Sequence, residues 1–237
     1  MEFDSAKMTG VSYKVKAYKD TMNKKAEHLI KEGLLGKIVQ LDELFETVTK
    51  MKLSEKQTHL DIPMQDLQLN SNGIEKQCLN GEVIPNAYQG EIPCNETHVA
   101  MTELLKPIVE ELFNDVHLLK MWVLLKVPKI EDGNNFGVGV QKDIICEIEL
   151  AELEAIEIVS RMTRCYSWRG RLVSKLVKYP LIADYRMAVK EMDYEEHQWI
   201  CNAVSKLRNR YCLLQDVISK NMEKIKMPRS SNGESMY

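Results

Sequence analysis

Glycine and proline nearly disappear from the C-terminal part of the chain, and this scarcity constrains the fold more than any motif does. From Gly139 to the last residue, only Gly170, Pro180, Pro228 and Gly233 interrupt the sequence. The apolar residues between them recur every three or four positions, which places them along one face of an α-helix. The pattern predicts long amphipathic helices rather than strands.

Two such helices are predicted, at about 138–178 and at about 181–226. The second is expected to start near Pro180 or Asp184, because proline is tolerated in the first turn of a helix, and to end before Pro228. Its apolar stripe comprises Ile200, Val204, Leu207, Tyr211, Leu214, Ile218, Met222 and Ile225. The stripe extends over about seven turns, as expected of an amphipathic helix.

Two further helices are predicted upstream, at about 8–50 and at about 96–127. Gly33 and Gly36 are expected to kink or loosen the first helix. Pro107 is either a kink in the second helix or its true start. No segment shows strand periodicity of comparable strength, so the sequence predicts an all-α fold, a bundle of four long helices.

Residues 60–95 separate the first two predicted helices and are rich in proline, glycine, asparagine and glutamine. The segment is too long for an ordinary connection, so it is either a flexible linker or an appended functional loop. The other connections are short, as expected within one domain covering 1–237. Apolar residues off the main stripes, among them Trp168 and Trp199, favour self-association.

Composition excludes several classes of protein. A hydrophobic content of 44% is ample for a core, and a net charge of only −3 argues against a nucleic-acid partner. No window approaches the roughly 18 apolar residues of a membrane span, and the first ten residues lack the apolar core of a signal peptide. We therefore expect an intracellular protein with no membrane partner.

The histidines and cysteines do not form a recognisable metal or catalytic motif. A di-iron bundle needs a glutamate three residues before a histidine, but the five histidines follow Lys25, Lys56, Asn95, Asn114 and Tyr194 at that spacing. The six cysteines never approach CxxC spacing, so structural thiols are favoured over metal or redox roles. GNNFGVGV lacks the GK[ST] of a phosphate loop, and GxSxG and HExxH do not occur. The sequence therefore offers no active site: it predicts no catalytic residue, no metal and no cofactor.

One polar turn separates the second and third predicted helices. Pro128 disfavours helix at Val127, and Asp132 and Gly133 are strong turn formers within VPKIEDGNNFG. Such a turn could merely reverse the chain. Its charges, its amides and the aromatic Phe136 are more than reversal demands, and loops held by rigid helices often carry binding function.

Several segments of this chain are shared with one known family. They are KMWV, PKIEDGNNFGV, LVSKLVKYP, DYR, KLRNRY and KNMEKIKMPRSSN. These segments resemble the REG (11S regulator) family of proteasome activators, closest to its gamma member. The likeness is dense from about 120 to 237, weaker over the first helix and LDIP at 60–63, and absent from the linker.

The resemblance implies both a fold and a function. Family protomers are four long helices that assemble into a heptameric ring with a central channel, and the gamma resemblance favours a homo-heptamer. The ring docks on the α-subunits of the 20S core proteasome, opens its gate without ATP and stimulates peptide hydrolysis. Such proteins are activators of a peptidase and are not enzymes themselves.

Two segments match the family's functional elements. The first, 129–137, matches the activation loop that opens the gate, with Asn134 at the position on which activation depends most. It comprises Lys129, Ile130, Glu131, Asp132, Gly133, Asn134, Asn135, Phe136 and Gly137. The second is the tail at 228–237, which is implied to dock between α-subunits. Its docking residues are Glu234, Ser235, Met236 and Tyr237.

The chain departs from the family at two places. Lys129 stands where most relatives have arginine, which keeps the charge but loses the planar fork. The gamma member carries a basic cluster in its linker associated with nuclear import, whereas 70–94 has Lys76 as its only basic residue here. The expected location is therefore the nucleus, the cytoplasm or both. Two other classes stay open, a helical scaffold or adaptor and a small-molecule-binding bundle enzyme.

Overall fold

The structure, a computed structural model, describes residues 2–51, 78–79, 82–83, 92–179 and 181–229. The elements in chain order are α1 (Glu2–His28), a π-helical turn (Leu29–Gly33), α2 (Leu34–Lys50), β1 (Cys78–Leu79), β2 (Glu82–Val83), α3 (Glu96–Leu124), α4 (Phe136–Lys178), α5 (Ala183–Lys220) and α6 (Met222–Lys226). Apart from the two short strands, which pair antiparallel, all elements of the described residues are helical. The expected all-α fold is confirmed.

The first helical arm is continuous through α1, the π-helical turn and α2. The residues that flank the turn, His28 and Leu34, both keep right-handed helical backbone angles. A π-turn inserts one extra residue into a helix and so loosens it locally. The π-helical turn of this chain ends at Gly33, one of the two glycines expected to kink or loosen the first predicted helix. A Cβ added to Gly33 would lie 2.7 Å from Leu29 Cδ1, so the absence of a side chain relieves crowding inside the turn.

Helix α3 begins with a polar cap and continues through its proline. The Asn95 side chain accepts a hydrogen bond from the His98 amide at 3.1 Å, which satisfies one of the free donors at the helix start. Pro107 lies inside α3 and is not its start. The helix ends at Leu124, slightly before the predicted 127, and two turn residues follow.

The core runs along the inside of the four long helical segments. α2 packs on α5, and α4 packs on both α3 and α5. Trp122 and Tyr211 are the largest fully buried side chains, and the Tyr211 hydroxyl donates to Asp115 Oδ2 at 2.9 Å. Most residues of the predicted stripe on α5 are buried, because the stripe faces the other helices.

The connections lie at two ends of the bundle. The α3–α4 connection and α6 meet at one end, where Gln141 bonds to backbone of both. At the other end lie the start of α3 and the α4–α5 connection, where Arg169 on α4 donates to the Pro93 carbonyl at 3.4 Å. Among the described residues, no helix has both the length and the hydropathy needed to cross a membrane.

Candidate functional site

The segment that matches the activation loop, 129–137, projects from the end of the bundle between α3 and α4. The side chains from Lys129 to Phe136 are all exposed, whereas Gly137 is buried. Ile130 is 96% exposed and Phe136 is 76% exposed. A large apolar side chain that is almost fully in water contributes little to this chain's own core, so it is available to a partner.

The tip of this loop has a backbone conformation that few residue types adopt. Gly133 and Asn134 are consecutive and both have positive φ, +79° and +44°. Glycine reaches this left-handed region freely, and asparagine tolerates it better than most residues. The Asp-Gly-Asn sequence therefore gives the loop a defined shape rather than only length.

Gln141 holds the base of the loop against α6. It is fully buried near the start of α4, and its Nε2 donates to the Lys126 carbonyl at 3.1 Å and to the Ile225 carbonyl at 2.9 Å. One amide group thus joins the end of α3, the start of α4 and α6. Losing this amide would be costly above all at Ile225, because the bond to that carbonyl is buried and the carbonyl would be left without a donor.

Arg229 joins the beginning of the tail to the loop itself. Its Nη1 donates to Glu131 Oε2 at 2.8 Å, and its Nη2 donates to Asn135 Oδ1 at 3.2 Å. The Asn135 Nδ2 in turn donates to the Glu131 carbonyl at 3.2 Å. The planar guanidinium therefore contacts two loop residues at once, a geometry that lysine cannot reproduce. We call this arrangement the Arg229 clamp.

The tail also contacts the loop through backbone packing. A Cβ added to Gly137 would lie 2.0 Å from the Pro228 carbonyl oxygen and 2.6 Å from its carbonyl carbon. The backbone of Pro228 therefore lies directly against Gly137. Only glycine fits here without displacing the tail.

The N-terminal arm is tied to the same end of the bundle. Lys226 and Glu27 form an ion pair at 2.9 Å, and the hydrogen bond from Lys226 lowers the pKa of Glu27. Lys126 donates to Asn23 Oδ1 at 3.4 Å, and its ammonium lies 5.1 Å from the centre of the Trp122 ring. Together these contacts hold α1, α3 and α6 in one arrangement around the loop.

The residues predicted for the site fall into three groups. Glu131, Asn135 and Gly137 contact the start of the tail. The exposed remainder of the loop consists of Lys129, Ile130, Asp132, Gly133, Asn134 and Phe136. The predicted docking residues Glu234, Ser235, Met236 and Tyr237 lie outside the described residues.

Sequence reasoning missed the two side chains that hold the site together, Gln141 and Arg229. Gln141 is a polar residue three positions before Ile144 on an apolar stripe, and that anomaly is a usable signal for a buried hydrogen-bonding role. Arg229 follows Pro228 in a polar stretch, and nothing local identifies its partners.

Comparison with known proteins places the chain in one family. Two family models match, the N-terminal part of proteasome activator PA28 over residues 10–67 and its C-terminal part over 91–235. Proteasome activator complex subunit 3 of Homo sapiens is 35% identical over 244 residues, which cover 96% of each chain. The protein of the same name from Gallus gallus is 35% identical over 247 residues, with the same coverage.

Solved structures give the same result for the fold. The 11S subunit of the Plasmodium falciparum proteasome, PA28, aligns with a TM-score of 0.78 and 26% identity over 94% of this chain and 95% of that one. An archaeal 20S proteasome–PA26 complex contains a chain that aligns with a TM-score of 0.61. That chain is only 12% identical, so it supports the fold alone. The family models and the curated relatives together cover nearly the whole sequence, and the chain belongs to the PA28 family of proteasome activators.

Proposed function

We propose that this protein is an ATP-independent activator of the 20S core proteasome that docks on the core's α-subunits and stimulates peptide hydrolysis. Its curated relatives are named as subunits of a proteasome activator complex, and related chains have been solved together with 20S proteasomes. The role is regulatory. The observation that carries the proposal is the Arg229 clamp, which fixes the start of the tail against the predicted activation loop.

The tail and the loop have different tasks in this proposal. A ligand that binds the open and the closed gate equally well does not change the equilibrium between them, however tightly it binds. The tail residues Met236 and Tyr237 would supply affinity, and the exposed loop around Asn134 would supply the preference for the open state. Exposed Ile130 and Phe136 offer apolar contacts to the α-subunits.

The Arg229 clamp holds the docking tail and the gate-opening loop in one fixed arrangement. Because Arg229 and Gly137 hold the tail's first residues on the loop, a docked tail places the loop at a fixed position on the core. A loop positioned in this way loses less conformational entropy on binding than a free loop would.

Self-association into a homo-heptamer is part of the proposal. Helix α4 exposes four large apolar side chains, Leu150, Leu153, Ile156 and Val159. Phe113 on α3, itself 40% exposed, lines a surface pocket with Ile156 and Val159. Exposed apolar side chains of this size fit a subunit interface, and a ring closes through a heterologous contact between different faces of neighbouring protomers. Seven linked tails would then bind with avidity that a single tail lacks.

The test is hydrolysis of short fluorogenic peptides by latent 20S core, with and without this protein. Asn134→Gly is the informative variant, since glycine accepts the positive φ and only the side chain is lost. We expect this variant to assemble and dock but to lose most of the stimulation, and deletion of Met236 and Tyr237 to abolish docking. Normal stimulation by Asn134→Gly would contradict the loop assignment. A monomer by native mass measurement, with no stimulation, would favour a helical scaffold instead.

Location follows from the partner. An activator of the 20S core acts inside the cell, and the sequence leaves the nucleus and the cytoplasm both open because 70–94 lacks a basic cluster. A fluorescent fusion would distinguish the two compartments.

A further inference from the structure

A second cluster of reactive side chains lies toward the other end of the bundle, away from the loop. His98 on α3, Cys165 on α4 and Glu196 on α5 are all buried, at 6%, 2% and 4% exposure. One ligand atom from each lies within 4.8 Å of the other two. Among the described residues this is the one group of three or more such side chains close enough to hold a metal ion. Each residue comes from a different helix.

The spacing within the cluster matches zinc coordination. Zinc binds cysteine sulfur at about 2.3 Å and histidine nitrogen at about 2.0 Å in a tetrahedral arrangement, so the two ligand atoms stand about 3.5 Å apart. The distance from Cys165 Sγ to His98 Nε2 is 3.5 Å. These two atoms are therefore already at the separation that two ligands of one zinc ion have.

Glu196 adds a buried carboxylate to the cluster. Its Oε1 accepts a hydrogen bond from Arg161 Nη2 at 2.9 Å, but Oε2 is buried and has no hydrogen-bond partner. An unpaired buried carboxylate oxygen is costly unless something positive occupies the space beside it. The neighbouring Asp193 is different, because Arg169 donates to both of its oxygens at 2.8 and 3.4 Å.

The charges of the cluster suit a divalent ion. A zinc-bound Cys165 is a thiolate whose proton is released to solvent, and the thiolate together with the Glu196 carboxylate balances the charge of the ion.

We infer that His98, Cys165 and Glu196 form a zinc(II) site whose fourth position is taken by water. Mixed nitrogen, sulfur and oxygen ligands suit zinc, whereas magnesium and calcium prefer oxygen alone. The Tyr166 ring packs edge-on against His98 with centroids 5.4 Å apart, which fixes the plane of the imidazole. The ion would link α3, α4 and α5 close to Asn95, where α3 begins.

Cobalt(II) is the probe, since it replaces zinc and reports its ligands by absorption. The full-length protein is titrated with cobalt and then with zinc. We expect one cobalt per chain, a sulfur-to-cobalt charge-transfer band, visible bands of tetrahedral cobalt, and loss of all of them when zinc is added. Zinc should also raise the Tm, because it binds only the folded site.

Three variants locate the site. Cys165→Ser should lose the charge-transfer band, and Glu196→Gln should bind at least about 10-fold more weakly, since even outer-shell changes cost that much. Cys201→Ser is the matched control, because Cys201 is also buried but lies outside the cluster. Absence of the band in the folded wild-type protein would overturn the inference, whether or not the variants fold. So would a band that persists in Cys165→Ser. The readout does not involve the proteasome, so its outcome is independent of the proposed function.

Discussion

Arg229 reaches from the start of the tail to Glu131 on the loop and donates to its carboxylate at 2.8 Å, across 98 positions of sequence. The same guanidinium donates to Asn135, so one side chain defines the position of the loop relative to the tail. Glu131 is 58% exposed, so water weakens the ion pair, and the second hydrogen bond to Asn135 adds to what the charge pair contributes.

The first prediction concerns this clamp. Arg229→Ala should release the loop from the tail and lower maximal stimulation of peptide hydrolysis about fivefold, because the lost contacts are worth about 1 kcal/mol at this exposure. Docking should be nearly unchanged, since the tail's last residues remain. Peptidase assays at saturating activator, with parallel binding measurements on the core, check both statements.

A matched variant separates charge from geometry at this position. Arg229→Lys keeps the positive charge but cannot contact Glu131 and Asn135 together, so intermediate stimulation is expected. Full stimulation by Arg229→Ala would mean that the clamp plays no part in gate opening.

The second prediction compares two glycines on the first turn of α4. Gly137→Ala should lower the free energy of unfolding by about 1–3 kcal/mol, because its Cβ would meet the Pro228 backbone at the end of the bundle that carries the loop. Gly139→Ala is the control, since a Cβ there would have nothing within 4 Å. It should stabilise the helix by about 0.5–1 kcal/mol. Urea unfolding of both variants checks the pair, and equal effects would argue against the tail contact.

The third prediction concerns the buried amide of Gln141. Gln141→Leu leaves the carbonyls of Lys126 and Ile225 without their donor, so it should cost about 1–3 kcal/mol of unfolding free energy. Gln215→Leu is the control, because Gln215 donates only to Ser219 at an exposed position. That change should stay within about 0.5 kcal/mol. If the two variants were equally stable in urea, the bracing role of Gln141 would be excluded.

The long helices and the turn between α3 and α4 could be predicted because their determinants are local. An apolar stripe with helical spacing must be buried on one side, and Gly133 beside Asp132 favours a turn whatever surrounds it. The same reasoning locates the loop at an end of the bundle. It does not supply the loop's partners, since Arg229 meets Glu131 only after four helices have packed.

The cluster of His98, Cys165 and Glu196 could not be predicted from the sequence either, because its residues come together only through packing. Cys165 and His98 are 67 positions apart, and Glu196 lies on a third helix, so no spacing rule connects them. Read along the chain, they are scattered residues with structural roles. Burial of three helix faces in one core is what brings their ligand atoms together, and only the packed structure contains that information.

The last prediction concerns the pH dependence of stability and rests on Asp115. Burial raises the pKa of this carboxyl above its ordinary value of 3.8, even though the Tyr211 hydroxyl donates to it. The folded state therefore holds the Asp115 proton to higher pH than the unfolded state does. The contribution of Asp115 to the free energy of unfolding is therefore fully present below the pKa that the group has in the unfolded state. It is lost as pH rises through the higher pKa that the group has in the folded state.

Asp115→Asn removes that dependence, because the amide oxygen can still accept from Tyr211 but no proton is lost. We expect the variant to be at least as stable as wild type at neutral pH and to lack the decline that Asp115 contributes as pH rises from about 4 upward. Urea unfolding across this range checks the difference between the two proteins, which isolates Asp115 from other carboxyl groups. A difference that stays constant with pH would mean that Asp115 is ionised in the folded core, held charged by Tyr211 and Lys37 despite its burial.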